Sequence, residues 1–298
     1  MSRVTLRVTI SVVLLAVCGC EKGSSRTEGP AKDEAVGGAE AAPIKTVAVA
    51  DGIYMLVGRG GNVGVSVGED GVLLIDDKFE DLARPIREAV AALSKGKIVY
   101  VLNTHHHGDH TGGNAAFSKD ATLVSHENAR KNLVTAEANA EALPVVTFND
   151  EMSIHFNGQE IRLVHLPNGH TNGDSAVYFT QSNVVHLGDN FFNGKLPFVD
   201  LDNGGDPLVL LESTTKLLAE LPPDTKIIPG HGDLAGIADY KAFHAMLEDT
   251  IATVRKAKAG GATVDAVKKA GFEGKYKAWA SSFVGEDKWA ETIYRAIK

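Results

Sequence analysis

The chain has 298 residues, 44% of them hydrophobic, which is enough for one large core, and 38 acidic against 30 basic side chains leave a net charge of −8. That balance, with no clustered Lys and Arg, argues against a nucleic-acid surface, because a phosphate-binding face needs concentrated positive charge. Cys18 and Cys20 are the only cysteines, which excludes a disulfide framework and a thiolate metal site in the body of the chain.

The first residues read as an export signal. Arg3 and Arg7 precede an apolar run from Val8 to Val17, about half the ~20 residues that a bilayer-spanning helix needs. The run ends in Val17-Cys18-Gly19-Cys20, which is similar to a bacterial lipobox, where a branched aliphatic and a small residue precede the cysteine that is lipidated. Residues 1–20 are therefore expected to be a lipoprotein signal peptide. Cys20 becomes the lipidated N-terminus, holding the exported protein on the periplasmic side of a bacterial membrane. Glu21 is not the aspartate that commonly retains such proteins at the inner membrane, which favours the outer one. The alternative is an ordinary cleaved signal and plain secretion. Residues 21–43 have almost no branched or aromatic side chains, cannot bury enough surface to fold, and read as a disordered tether. A single folded domain is expected over 44–298.

From Ile44 short β-rich runs alternate with Asp-Gly and Gly-rich turns: 47–49, 53–57, 62–67 and 72–76, an antiparallel meander. Apolar residues at Phe79, Leu82, Ile86, Val90 and Leu93 predict a helix over 78–93, and Lys97 to Asn103 predicts a buried strand. After a loop come a short helix from Thr111 to Phe117, a strand over 121–125, and a surface helix over 126–142 ended by Pro144. A second meander follows, with strands at 145–148, 153–156, 160–165, 175–180 and 183–187. Then come a helix over 208–221, a short strand at 226–229 and a long helix over 237–258. Sheets followed by helices, twice, suggest two sheets packed face to face with helices outside.

The loop after the fifth strand is Thr104-His105-His106-His107-Gly108-Asp109-His110. In an extended H-x-H, His105 and His107 point to one side, and Gly108 lets the chain bring Asp109 and His110 back to the same cavity. Imidazoles and a carboxylate at this density suit a metal ion. Three more candidates stand where loops leave strands: His170 in Gly169-His170-Thr171, Asp189 in Gly188-Asp189, and His231 in Gly230-His231-Gly232.

These motifs, T-H-x-H-x-D-H, G-H-T, G-D and G-H-G in that order, resemble those of the metallo-β-lactamase superfamily. The resemblance implies an α+β fold, a four-layer αβ/βα sandwich with a two-metal site at one edge of the paired sheets. It implies that His105, His107 and His170 bind one zinc, that Asp109, His110 and His231 bind the other, and that Asp189 bridges them. Asp76 matches a family aspartate that supports the metal loop. His107 stands where flavodiiron members have a glutamate, which favours two zinc ions, with iron or manganese as alternatives. His106, His126, His155, His165, His186 and His244 lack ligand spacing and are expected to be structural, and Asp77 to be a turn residue.

The activity implied is hydrolysis of a carbonyl bond in a small-molecule substrate, an amide, lactam, ester or thioester. Two cations about 3.5–4 Å apart lower the pKa of bound water towards about 7, so the nucleophile is a metal-bound hydroxide. Asp109 orients it and handles its proton. No G-x-S-x-G elbow competes with this reading. Asp189 is like the bridging aspartate of glyoxalase II, while the export signal favours a periplasmic β-lactamase. A non-catalytic metal-binding lipoprotein module is the alternative outside catalysis. Two segments are expected to flank the mouth: a flexible hairpin tip, Gly58 to Asn62, and the run Phe191 to Phe198, in which Lys195 would anchor a substrate carboxylate.

Overall fold

In this computed structural model, which describes residues 43–298, four strands form the meander that the alternating pattern and Asp-Gly turns predict: β1 (Lys45–Ala50), β2 (Ile53–Val57), β3 (Val63–Gly68) and β4 (Gly71–Ile75). The expected signal segment, Cys20 and the tether through residue 42 lie outside the described residues. Three parallel strands, β5 (Ile98–Asn103), β6 (Thr122–His126) and β7 (Val146–Phe148), extend this sheet to seven in sequence order. Their crossovers carry α1 (Ala83–Leu93), the short α2 (Gly108–Thr111) and α3 (Asn114–Phe117), and α4 (Glu127–Thr135).

The second sheet has six strands. β8 (Glu151–Phe156), β9 (Gln159–Leu166), β10 (Asp174–Phe179) and β11 (Val184–His186) run antiparallel. After α5 (Pro207–Glu220), β12 (Lys226–Ile228) joins β11 in parallel, and β13 (Ala235–Gly236) closes the edge. α6 (Ile237–Ala259), α7 (Val264–Ala270) and α8 (Glu286–Ala296) complete the chain.

The pleat of β4 shows why the layers form. Leu73 and Ile75 point between the sheets, where they meet Met55, Leu102 and Val124 of the first and Leu163, Val177 and Phe179 of the second. Val72 and Leu74 point the other way, into a cluster with Ile86 and Val90 of α1. A period of two therefore buries both faces of one strand. The outer face of the second sheet packs Ala176, Val185 and Ile227 against Leu210 and Leu217 of α5, Phe243 and Leu247 of α6, and Trp289 and Ile293 of α8. At roughly 1.5–3 kcal/mol per fully buried aliphatic or Phe side chain, these three interfaces between layers dominate the favourable side of folding. The result is the expected four-layer sandwich.

Two helices are shorter than their apolar spacing predicts. The helix expected from Lys78 begins at Ala83, after a 3-10 turn at Glu80–Leu82, because Asp76 and Lys78 adopt φ of 64° and 61°. The helix expected over 126–142 stops at Thr135, where Glu137 at φ 57° breaks the spiral. Among the described residues, no helix is long and apolar enough to cross a membrane.

Candidate metal centre

The carboxyl ends of β4, β5, β9, β11 and β12 meet at one edge of the sandwich, and the loops leaving them carry every side chain of the site. Asp76 follows β4, His105 to His110 follow β5, His170 follows β9, Asp189 follows β11 and His231 follows β12. The sheets are stitched there by Ser175 N–H donating to the Thr104 carbonyl at 2.8 Å.

Two donor sets form. His105, His107, His170 and Asp189 have ligand atoms within 4.8 Å of one another, as do Asp109, His110 and His231. Asp189 stands between the sets. Its Oδ2 faces His170 Nε2 at 3.5 Å and His105 Nε2 at 3.9 Å, while its Oδ1 faces His110 Nε2 at 3.1 Å and His231 Nε2 at 3.4 Å. All seven predicted ligands are thus brought together, with one carboxylate oxygen turned to each set. The mouth lies along His107, Asp109 and His231, whose side chains are 20, 25 and 24% exposed, whereas the other four are at most 5% exposed.

Outer contacts fix which nitrogen each ring presents. His170 Nδ1 donates to the Phe198 carbonyl at 2.8 Å, and His107 Nε2 donates to Asp200 Oδ2 at 2.9 Å. In the neutral rings this leaves the lone pairs of His170 Nε2 and His107 Nδ1 facing each other at 2.9 Å, a repulsion that a shared cation or proton relieves. The Thr104 hydroxyl donates to Asp76 Oδ2 at 2.8 Å and so can accept from His105 Nδ1 at 3.0 Å, which aims His105 Nε2 inward. Asp76 Oδ2 also accepts from His110 Nδ1 at 2.7 Å, aiming His110 Nε2 inward. Asp76 is fully buried and hydrogen-bonded to Thr104 and His110 of the histidine loop. His105 Nε2, His110 Nε2 and Asp189 Oδ1 are buried without a hydrogen-bond partner among the described residues. Buried polar atoms left without a partner in this way cost on the order of 1–3 kcal/mol each, so the residues fit metal ions.

Charge separates the two sets. Burial pulls His105 well below its ordinary pKa and pulls His170 down to about 3. Burial also opposes charge on His231 and His110, yet the Asp189 and Asp109 carboxylates outweigh it, raising His231 to about 9 and His110 well above its usual value. Burial alone would raise Asp109 and Asp189, but the cationic neighbours win, His110 first for Asp109, holding it at about 2, and His231 first for Asp189, holding it well below the carboxylate range.

Some expectations need correction. Asp77 is more than a turn residue: it is fully buried, its Oδ1 accepts from Gly113 N–H at 2.9 Å, and burial raises its pKa well above the usual range. The segment Gly58 to Asn62 is not a free hairpin tip. Asn62 is 3% exposed, and a Cβ on Gly61 would sit 2.1 Å from His110 Cε1, so only glycine lets this loop cover that ring. The run from Phe191 divides. Phe191 is core, Phe192 stacks on His231 with centroids 5.1 Å apart, and Phe198 lies 5.7 Å from His107. Lys195 is exposed, and its side chain has no hydrogen bond or ion pair among the described residues.

His186 and His126 are buried with both nitrogens engaged, His165 is half-buried against His126, and His244 pairs with Thr215; His155 is exposed. His106 comes within ligand reach of His107 and Asp200. Asp200, Thr104 and Asn62 are the supporting residues that sequence reasoning missed. Thr104 lies within the motif itself and could have been found. Asp200, 93 residues from the histidine it holds, carried no signal.

Comparison with known proteins agrees with this geometry. The family model described as the metallo-beta-lactamase superfamily matches residues 56–231. A hydroxyacylglutathione hydrolase of Nitrosococcus oceani is 34% identical over 147 residues, covering 48% of this chain and 52% of that protein. One from Rhodospirillum rubrum is 30% identical over 221 residues, covering 72% and 75%. The match with the first of these thus spans about half of that protein's length. Among solved structures, a metallo-beta-lactamase from Pontibacter korlensis superposes with a TM-score of 0.62 at 16% identity, covering 69% of this chain and 99% of that one. A variant of the sec-alkyl sulfatase PisA1 gives 0.68 at 16% identity, covering 85% and 50%. Strands β3 to β12, the histidine loop and all seven candidate ligands fall within the matched stretch, and the chain belongs to the metallo-β-lactamase superfamily.

Proposed function

We propose that the protein is a dinuclear metallo-hydrolase that cleaves a carbonyl bond in a small molecule, with a thioester or ester as the favoured substrate class. The observation that carries this reading is the division of the Asp189 carboxylate, one oxygen towards each donor set. Borderline cations suit imidazole plus carboxylate, and with His107 standing where flavodiiron members have a glutamate, zinc is the favoured metal. His105, His107, His170 and Asp189 would hold one ion, and Asp109, His110, His231 and Asp189 the other. When bound, the ions supply a water-derived nucleophile at neutral pH and polarise the scissile carbonyl.

The chain's own groups supply the rest. Asp109, ionised at neutral pH and one-quarter exposed, faces water at the mouth. It orients that water, takes its proton and returns a proton to the departing group. Phe192, buried, backs the His231 ring, and the half-buried Phe198 beside His107 offers apolar surface to the substrate body, with Lys195 on the turn between them as the proposed carboxylate anchor. The bridging aspartate supports the thioester class, and the two hydroxyacylglutathione hydrolases similar to this chain point the same way.

We also propose export and lipid anchoring through Cys20, which favours a β-lactam as the second substrate reading. Mass spectrometry of the mature N-terminus should find an acylated cysteine, and an unmodified N-terminus further along would replace anchoring with secretion. For the activity, protein purified without chelator should contain two divalent ions per chain, and the zinc-loaded form should turn over a thioester in preference to a chromogenic β-lactam or a phosphodiester. Metal binding with no turnover of any of the three would leave a non-catalytic module.

A further inference from the structure

The second donor set is braced from a loop that carries no ligand. The Asn62 side-chain amide donates to the Pro229 carbonyl at 3.0 Å and to the Gly232 carbonyl at 2.8 Å, one on each side of Gly230-His231. Its backbone N–H donates to the Gly230 carbonyl at 2.7 Å. Both donors of one amide and a main-chain N–H are therefore spent on the four residues around His231. The Asn62 carbonyl lies 3.2 Å from His186 Nε2, and His186 Nδ1 accepts from Gly188 N–H at 3.1 Å, next to Asp189. Gly61 N–H donates to the Asp109 carbonyl at 3.1 Å, and the buried Lys78 ammonium donates to the Gly61 carbonyl, holding the loop down from the other side.

We infer that Asn62 is a positioning residue that sets the affinity of the second metal site, by clamping the His231 loop against the loops of Asp109 and Asp189. This inference rests on the dinuclear reading above. The physical reason is a difference between ligands. His105, His107, His110 and His170 each have their outer ring nitrogen held by Thr104, Asp200, Asp76 or the Phe198 carbonyl. His231 is steadied instead through its backbone. A ligand held by its main chain depends on whatever holds that main chain: Asn193 N–H donates to the His231 carbonyl, Gly230 N–H donates to the Gly188 and Phe191 carbonyls, and Asn62 occupies the Pro229, Gly230 and Gly232 carbonyls on either side. Asn62 is buried and touches no substrate space, so this work is done on the ligand frame.

The test is a zinc titration of the metal-stripped full-length protein with a competing chelator, repeated with cobalt(II) and read by its absorption bands. In the unmodified protein two uptake steps are expected, and their absence would count against the dinuclear reading rather than this one. In Asn62→Ala the second step should weaken about ten- to hundred-fold while the first is unchanged, the usual effect of removing an outer-sphere support. Asn62→Ser, which keeps one hydroxyl donor, should fall between the two and carries the test if the alanine variant does not fold. Circular dichroism confirms the fold of each variant. Both steps weakening together, or neither changing in a folded variant, would overturn the assignment, because a residue that serves only general stability has no reason to separate the two steps.

Discussion

The two halves of the site are built from the same edge of the sandwich but on opposite electrostatic plans. The set of His105, His107 and His170 is imidazole-rich and deeply buried except at His107, and burial keeps His105 and His170 neutral. The set of Asp109, His110 and His231 mixes carboxylate with imidazole, and there His110 and His231 are driven towards the cation by Asp109 and Asp189. A neutral cage presents lone pairs without first losing protons. A charged one must release protons before a metal enters. Two neighbouring donor sets can thus differ in their competition with protons while sharing Asp189.

The largest effect should come from that shared group. Asp189→Ala removes the oxygen that faces each set, so uptake at both sites and turnover should fall to background, measured by elemental analysis and a rate assay. Retention of one tightly held ion would show that the sets are independent, and the comparison would lose its common member.

Next comes Asp200, which stands to the first set as Asn62 does to the second. Its carboxylate accepts from His107 Nε2 and is itself fixed by Asn203 Nδ2 at 2.8 Å. Asp200→Ala should weaken the first zinc step about ten- to hundred-fold and leave the second in place. A change confined to the second step would mean that the sets have been assigned the wrong way round.

The two sets should also answer pH in opposite senses when the protein is stripped of metal. His231, at about 9 folded against about 6.5 unfolded, contributes stability that is fully present below about 6.5 and lost as pH rises through 9. His170, at about 3 folded, stays neutral while the unfolded chain takes up a proton, so stability is lost as pH falls from about 6.5 towards 3. Thermal unfolding should show His231→Gln costing more at pH 6 than at pH 9, and His170→Gln softening the loss of stability in acid. Parallel profiles for the two variants would erase the electrostatic contrast.

The smallest effect belongs to Lys195, which lies outside both sets. Lys195→Ala should raise KM about tenfold for an anionic substrate, roughly 1.5 kcal/mol, and change little for a neutral analogue. Equal effects on both substrates would remove it from the mouth.

Much of this protein was legible before any coordinates. Alternating apolar residues and Asp-Gly turns mark the first meander because a pleated strand has a period of two, and a turn needing positive φ selects glycine. The ligands were legible because imidazoles and carboxylates placed just after apolar runs have few other uses. Tertiary structure decided what those local patterns cannot contain. Helical spacing from Lys78 was overruled, since Asp76 and Asp77 turn inwards to hold Thr104, His110 and Gly113, and the chain bends at positive φ to let them. Asp200 and Asn62 carry no motif, because a hydrogen bond across 93 or 170 residues depends on which strand ends meet. Which nitrogen each histidine offers was likewise set by partners on other loops, and so was the opposite charge preference of the two sets. A sequence names the donors, but only the packed sheet edge brings carboxylates beside some imidazoles and apolar walls beside others, and that difference in surroundings keeps His105 and His170 neutral and drives His110 and His231 towards the cation.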